Sequence, residues 1–286
     1  MKVTAHGKLN LSLDVLGKTG GGYHDLRMVM QTVEFGDDLE VVLRSDGRFT
    51  VDPGQSYLPS DGRNLAVKAA RLFLEGTGLG ADIRVVKRIP VCAGMGGGSA
   101  DAAAVLRALN ELTGRNMPAE ELRALALGVG SDVPFCVMEG AALAEGRGEK
   151  LTPLPCLADC AIVICKPAFA ISTPELFGRV DSRKSRLRPD TAGIISALEA
   201  GDAAGVARRM FNVFEDVLDR RQGEIASIKS ELMDLGATGA AMTGTGSAVF
   251  GLFPDGGSAK NAHAVLSGRY RECFLTKPYA PARAPH

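Results

Sequence analysis

The sequence predicts an α+β chain in two parts, on three observations. Strand-type alternation of apolar and polar residues dominates the first sixty positions. Further along, strands and helical stripes interleave around two hairpin-like regions, a mixed order expected of an α+β architecture. Near residues 151–159 two prolines and a loss of periodicity mark a boundary, which divides the chain into residues 1–155 and 156–286.

The elements follow in order. Residues 9–15 alternate strictly, and a period of two places Lys8, Asn10, Ser12 and Asp14 on one face of a half-buried strand. Glycines 20–22 turn the chain into a second alternating run, with Leu26, Met28 and Met30, that continues to residues 39–43. Leu65, Ala69, Leu72 and Phe73 give a helix over 64–73 that stops near Gly76. A strand at 83–86 leads through Pro90 into a glycine-rich loop. Ala102, Val105, Leu106, Leu109 and Leu112 then form a helical stripe ending at Gly114, and Pro118 opens another helix to about residue 127. Past the boundary come a strand at 161–165, a helix opened by Pro174, and helices at 191–199 and 203–219. A helix with Ile225, Ile228, Leu232 and Leu235 on its apolar stripe follows. Strands at 240–242 and 248–253, joined by 243–247, then a helix at 258–267 and a strand at 273–275, close the chain.

Composition excludes several classes. Of 286 residues 23% are charged and 45% hydrophobic, near globular averages, so long disorder or a fibre is not expected. Gly is the outlier at 35 residues, which implies many tight turns or close backbone approaches. The 33 basic and 33 acidic residues cancel, which argues against a broad nucleic-acid surface. The opening ten residues carry Lys2 and Lys8 and no apolar core of a secretory signal. Residues 235–254 are uncharged over a membrane-spanning length except that five glycines, three threonines and a serine make them a turn between strands, not a span. Cysteines 156, 160 and 165 lack zinc-site spacing, so they are expected as buried free thiols, and a reducing cytoplasm follows.

The strongest chemical signal is the loop at 94–98. Gly94, Gly96, Gly97 and Gly98, placed between a strand and a helix, expose consecutive amides at the positive end of a helix dipole, which makes an anion cradle. It is not a Walker A loop, because Ser12 stands where the leading glycine before Gly17, Lys18 and Thr19 would be. Nor is it a dinucleotide fingerprint, because Ser99 occupies the third glycine position.

The run from Ile89 through Pro90, Gly94, Met95, Gly96, Gly97, Gly98, Ser99 and Ala100 to Ala103 resembles the nucleotide loop of the GHMP kinases. Residues 5–13 and 241–250 are similar to that family's first and third motifs. Residues 22–25, 130–135 and 171–177 resemble the branch that acts on a diphosphocytidyl methylerythritol. These six blocks stand in family order over nearly the whole chain.

The resemblance implies a two-domain GHMP kinase fold, an N-terminal ribosomal-protein-S5-like domain followed by a C-terminal ferredoxin-like domain, with substrate held in the cleft between them. It implies ATP-dependent phosphorylation of the substrate's 2-hydroxyl, with Mg²⁺ as the accompanying ion and no carboxylate cage visible for it. Asp132 would act as general base, and Lys8 would orient it and offset phosphoryl charge. Asn10, Tyr23, His24, Thr173 and Phe177 match the substrate positions, while Asn64, Leu65 and Lys87 match positions around adenine and ribose. Gly244 and Gly246 match the supporting third motif. Ala100 departs from the family pattern, since a second serine is usual there, and Thr243 and Thr245 replace serines but keep hydroxyls. The implied partner is a small molecule, with no nucleic acid and no membrane, for a monomer or weak homodimer.

Overall fold

The computed structural model describes residues 1–157, 160–183 and 187–281. It resolves into two compact units that interleave along the chain. The first comprises Met1–Gly7, Phe35–Ile89 and Gly96–Glu139. The second comprises Lys8–Glu34, Pro90–Met95 and the chain from Gly140 onward. This partition by packing is a different one from the sequential division at residue 155. Two long strands, β1 (Lys2–Lys18) and β2 (His24–Arg44), are hydrogen-bonded neighbours and run through both units.

The first unit adds β3 (Phe49–Asp52), α1 (Leu65–Phe73), β4 (Gly80–Val86), α2 (Gly97–Leu112), α3 (Ala119–Leu127) and α4 (Val133–Met138). The end of β2 pairs antiparallel with β4, from Asp38 opposite Val86 to Arg44 opposite Gly80, and β3 lies parallel to β4. Val41, Ile83 and Val85 point into a core with Phe73, Leu106 and Leu109. The run of small residues from Ala100 to Ala104 lets α2 pack closely on α1, because short side chains keep the helix axes near.

The second unit adds β5 (Ala141–Gly146), β6 (Lys150–Leu154), β7 (Ala161–Lys166), α5 (Thr173–Ser182), α6 (Thr191–Glu199), α7 (Ala203–Arg209), β8 (Phe211–Asn212), α8 (Gly223–Asp234), β9 (Gly239–Met242), β10 (Val249–Phe253), α9 (Gly256–Ser267) and β11 (Glu272–Thr276). The first part of β2 pairs with β5, β5 pairs with β6, and β8 lies parallel to β1. A separate antiparallel sheet has the order β11-β7-β10-β9 and is covered by α8 and α9. Ile162, Ile164, Val249, Phe250, Leu232 and Leu266 fill that layer.

Four expectations need correction. First, β1 is not half-buried: Lys8, Asn10, Ser12 and Asp14 on its polar face are 0–6% exposed, as closed off as Leu9, Leu11 and Leu13. Burial is tolerated because most of these groups find partners within the unit, such as Arg188 for Asp14 at 2.6 Å.

Second, the loss of periodicity near 151–159 hides a strand, since β6 pairs residue for residue with β5. Among the described residues that strand has β5 as its sole neighbour, and an edge position accepts Pro153. Third, the helix expected at 203–219 ends at Arg209. Asn212 breaks it by donating to the carbonyls of Met242 and Gly244, both at 2.8 Å, and by accepting from the Phe214 amide to start a short 3₁₀ turn. Fourth, the three grouped cysteines are free thiols, but Cys156 is half-buried, so burial holds for Cys160 and Cys165.

Candidate active site

In the first unit the glycine loop delivers an uncapped helix. Gly96 adopts the left-handed conformation (φ 69°) that starts α2, no side chain caps the helix, and its first turn carries no acidic residue. The amides that begin α2 therefore face outward with the positive end of a sixteen-residue dipole behind them. Ser99 lies in this first turn, half-buried, and its hydroxyl makes no hydrogen bond among the described residues. Ala100 is buried, and its amide already bonds the Gly96 carbonyl.

Around this turn the packing is tight. A Cβ on Gly97 would stand 3.1 Å from Ile89 Cγ2 and 3.3 Å from Lys87 Nζ, and one on Gly98 would stand 3.5 Å from Leu65 Cδ1. Leu65 thus lies against the loop. Asn64 caps α1 by accepting from the Ala66 amide at 3.0 Å, and its own amide group donates to the Pro59 carbonyl at 2.9 Å. Those bonds tie α1 to the loop at 52–60, which with residues 84–87 lines an open pocket of about 680 Å³.

Lys87 lines that pocket, yet its ammonium is turned inward. Its Nζ donates to Asp37 Oδ2 at 2.5 Å and to Asp101 Oδ2 at 2.9 Å, with the side chain 7% exposed. Asp37 is fully buried and also accepts from the amides of Arg88 and Ile89. Asp101 Oδ1 is buried without a hydrogen-bond partner among the described residues. Burial alone would lower the Lys87 pKa, but attraction to Asp101 and Asp37 outweighs it and the pKa is raised. Asp101 is pushed up to about 7, first by burial, against the pull of Lys87 and with added repulsion from Asp37.

Asp132 precedes α4, with Pro134 in the helix's first turn. Its carbonyl accepts from the Cys136 amide at 3.1 Å, but its carboxylate makes no capping bond to the helix.

In the second unit Pro90, Gly94 and Met95 lie with the first and third motifs. The Lys8 amide donates to the Met95 carbonyl at 3.0 Å, and the Asn10 amide donates to Thr243 Oγ1 at 3.0 Å. Gly94 (φ 78°) meets the turn after β9 so closely that a Cβ would fall 2.1 Å from the Thr243 carbonyl oxygen. Only glycine fits there. Gly244 faces Gly94 in return, and a Cβ on Gly246 would meet Met242 Sδ at 2.5 Å. Lys8 is 5% exposed and donates from Nζ to Asn10 Oδ1 at 2.7 Å, while Asn10 Nδ2 points at Met28 Sδ at 3.3 Å. Asn10, at 1% exposure, is placed to hold Lys8.

A second group forms around His24. Its ring stacks on Phe177 with centroids 4.4 Å apart and planes 26° off parallel, and Phe177 meets Phe214 edge-on at 4.9 Å. His24 Nε2 lies 2.8 Å from Asp181 Oδ1, and Lys18 Nζ lies 2.8 Å from Asp181 Oδ2. Tyr23 is 54% exposed and carries the Arg147 guanidinium 4.2 Å above its ring. Thr173 begins α5, where its hydroxyl meets that of Thr245 at 2.8 Å. The Lys18 and His24 hydrogen bonds hold the Asp181 carboxyl below the usual range.

Comparison with known proteins decides what kind of site this is. Residues 64–140 match the GHMP kinases N terminal domain and residues 194–272 the GHMP kinases C terminal domain. A 4-diphosphocytidyl-2-C-methyl-D-erythritol kinase of Clostridium botulinum is 42% identical, covering 96% of this chain and 98% of the relative. One from Clostridium beijerinckii is 39% identical over 97% and 99%. The chain belongs to the 4-diphosphocytidyl-2-C-methyl-D-erythritol kinase family, within the GHMP kinases. A crystal structure of a 4-(cytidine 5'-diphospho)-2C-methyl-D-erythritol kinase superposes with a TM-score of 0.83 at 32% identity, over 98% of this chain and 100% of that one. A homoserine kinase from Cytophaga hutchinsonii shares the fold at a TM-score of 0.75 and 19% identity, over 98% and 94%. The two-domain α+β GHMP kinase fold expected from the motifs is thus the observed one.

Reading the family motifs in the sequence missed the carboxylates behind its cations. Asp101 sits inside the loop motif and Asp181 one helical turn after Phe177, a spacing that places both on one face of α5 and could have flagged it. Asp37 reaches Lys87 across fifty residues, and no local pattern points to it.

Proposed function

We propose that this chain phosphorylates the 2-hydroxyl of 4-diphosphocytidyl-2-C-methyl-D-erythritol with ATP and releases ADP, a step in non-mevalonate isoprenoid precursor biosynthesis. The carrying observation is the uncapped start of α2 at Gly96 to Ser99, inside a chain that belongs end to end to this kinase family. Pro90, Gly94 and Met95 lead into that turn, Gly96, Gly97, Gly98 and Ser99 offer amides to the phosphates, and Ala100 packs beneath. The open pocket lined by Lys87 receives the adenine and ribose, with Leu65 against the glycine loop. Asn64 and Lys87 act there by holding the walls, since both side chains are engaged within the protein.

Phosphoryl transfer is chiefly a matter of position and charge. Asp132 takes the proton of the acceptor hydroxyl. Lys8, oriented by Asn10, offsets negative charge on the transferring group. Tyr23, His24, Phe177 and Thr173 receive the cytidylyl end, and Gly244 and Gly246 shape the turn that supports Lys8 and Asn10. Among the described residues no cluster of three His, Cys, Asp or Glu side chains could cage a metal. In this reading Mg²⁺ would be carried chiefly by phosphate oxygens, with the Ser99 hydroxyl as the protein's contribution. When bound, Mg²⁺ would neutralise charge on the phosphates.

The sequential division 1–155 and 156–286 is the functional one in this reading, and the two family matches fall on either side of it. No helix among the described residues is long and apolar enough to cross a membrane. The setting is the cytoplasm, the partner is the small-molecule substrate alone, with no nucleic acid, and the enzyme is a monomer or weak homodimer.

The test is ADP release with Mg-ATP and, separately, 4-diphosphocytidyl-2-C-methyl-D-erythritol, mevalonate, homoserine and galactose. Turnover confined to the first acceptor is expected, and turnover confined to another would discard the cytidylyl assignment. Asp132→Asn should lose at least about a hundredfold in kcat, the usual worth of a general base, with ATP affinity kept.

A further inference from the structure

We propose that Asp181 is a positioning residue that fixes the tautomer of His24, so that the open ring nitrogen reads the 4-amino group of cytosine and rejects the 4-carbonyl of uracil. The inference rests on the substrate reading above and adds the residue that would set its base specificity.

His24 is held on three sides. The backbone at the start of β2 fixes its root, Phe177 covers one ring face, and Phe177 is itself buttressed by the edge contact to Phe214. Nε2 is engaged by Asp181 Oδ1 at 2.8 Å. An ionised carboxylate can only accept a hydrogen bond, so Nε2 must carry the hydrogen. Asp181 stays ionised because Lys18 and His24 both hydrogen-bond it and hold its carboxyl below the usual range. In the neutral imidazole the second nitrogen, Nδ1, is then left with a lone pair. Nδ1 makes no hydrogen bond among the described residues.

A lone pair held in a fixed direction is a discriminator. Position 4 separates the two pyrimidines, since cytosine presents an amino donor there and uracil a carbonyl acceptor. Against Nδ1 the amino group makes a hydrogen bond, whereas the carbonyl brings two lone pairs together and leaves both unpaired in the site. Without Asp181 the proton is free to move to Nδ1, and the ring would offer a donor as readily as an acceptor. The choice of base would then be lost even though His24 is still present.

Two measurements test this, both at a pH where the ¹⁵N shifts of the ring report a neutral imidazole. In the first, ¹⁵N spectra of the histidine rings, assigned to His24 by comparison with His24→Gln, report the tautomer in the resting enzyme. The wild type should show the Nε2–H form, and Asp181→Ala a mixture. In the second, kcat/KM is measured with the cytidylyl acceptor and its uridylyl analogue. The wild type should prefer the cytidylyl acceptor by at least about a hundredfold, and Asp181→Ala should narrow that ratio by about tenfold, through KM and not kcat. Asp181→Glu, which restores a carboxylate, should recover part of the preference. An Nδ1–H wild type, or an unchanged ratio in Asp181→Ala, would overturn the proposal while the kinase reading stood. Wild-type turnover of neither pyrimidine acceptor would instead overturn the substrate reading and this inference with it.

Discussion

Lys87 with Asp37 and Asp101 in one unit, and Lys18 and His24 with Asp181 in the other, are charge clusters built from the same kinds of group at similar distances. They differ in water. The Lys87 ammonium and both its carboxylates are 0–10% exposed, whereas Lys18 is 59% and Asp181 25% exposed. Burial sends the carboxyls in opposite directions: Asp101 rises to about 7, while Asp181 falls below the ordinary range. An ion pair therefore has no fixed character that can be read from its members. Desolvation decides whether the cluster is a stiff strut beside the glycine loop or an adjustable mount for a ring.

The comparison can be broken most directly at its buried cation. Lys87→Met should destabilise the protein by about 3–5 kcal/mol, because it strands two carboxylates away from water. Denaturant unfolding at pH 8, above the Asp101 midpoint, is the measurement. A loss no greater than that of a surface lysine substitution would mean that the cluster is far better solvated than its burial indicates.

Asp101→Asn sharpens the contrast through pH. A carboxyl near 7 in the folded protein and near 4 in the unfolded chain retains a proton on folding between those values, so it lowers stability progressively as pH rises through that window. The amide carries no such titration. The stability of Asp101→Asn relative to wild type should therefore climb from pH 4 to pH 7 and level off above. Thermal midpoints of both proteins at pH 5 and pH 8 read the slope, and parallel behaviour would place the Asp101 carboxyl in the ordinary range.

How much of this was legible beforehand follows from the range of each interaction. The glycine loop, the two motifs that meet at Thr243 and most helices announce themselves through spacing and backbone demand, which are local properties. Even Gly94 is local in this sense, since a positive φ calls for glycine whatever lies opposite. The partners of Lys87 and His24 were not legible, because Asp37 and Asp181 arrive from 50 and 157 residues away. The burial of Lys8 and Asn10 was hidden for the same reason. A period-two pattern shows that a face is polar, but the lid over it comes from Met28 and Thr243, and only the folded unit brings them there. The break at Asn212 lies between these cases: its residue type favours a turn, yet its three hydrogen bonds depend on β9 and the turn after it.

The smallest effect is expected at the open cation, and it completes the contrast with Lys87. Lys18 heads the groups that hold the Asp181 carboxyl down, so Lys18→Ala should let that carboxyl titrate closer to its ordinary value. The side chain is largely in water, and its removal strands nothing, because His24 still donates to Asp181. The unfolding midpoint should stay within error of wild type, and KM for the cytidylyl acceptor should change by less than about threefold. A large rise in KM with the midpoint unchanged would show that Lys18 meets the substrate itself. A large fall in the midpoint would show that the second cluster bears as much of the fold as the first, and the distinction drawn from burial would fail.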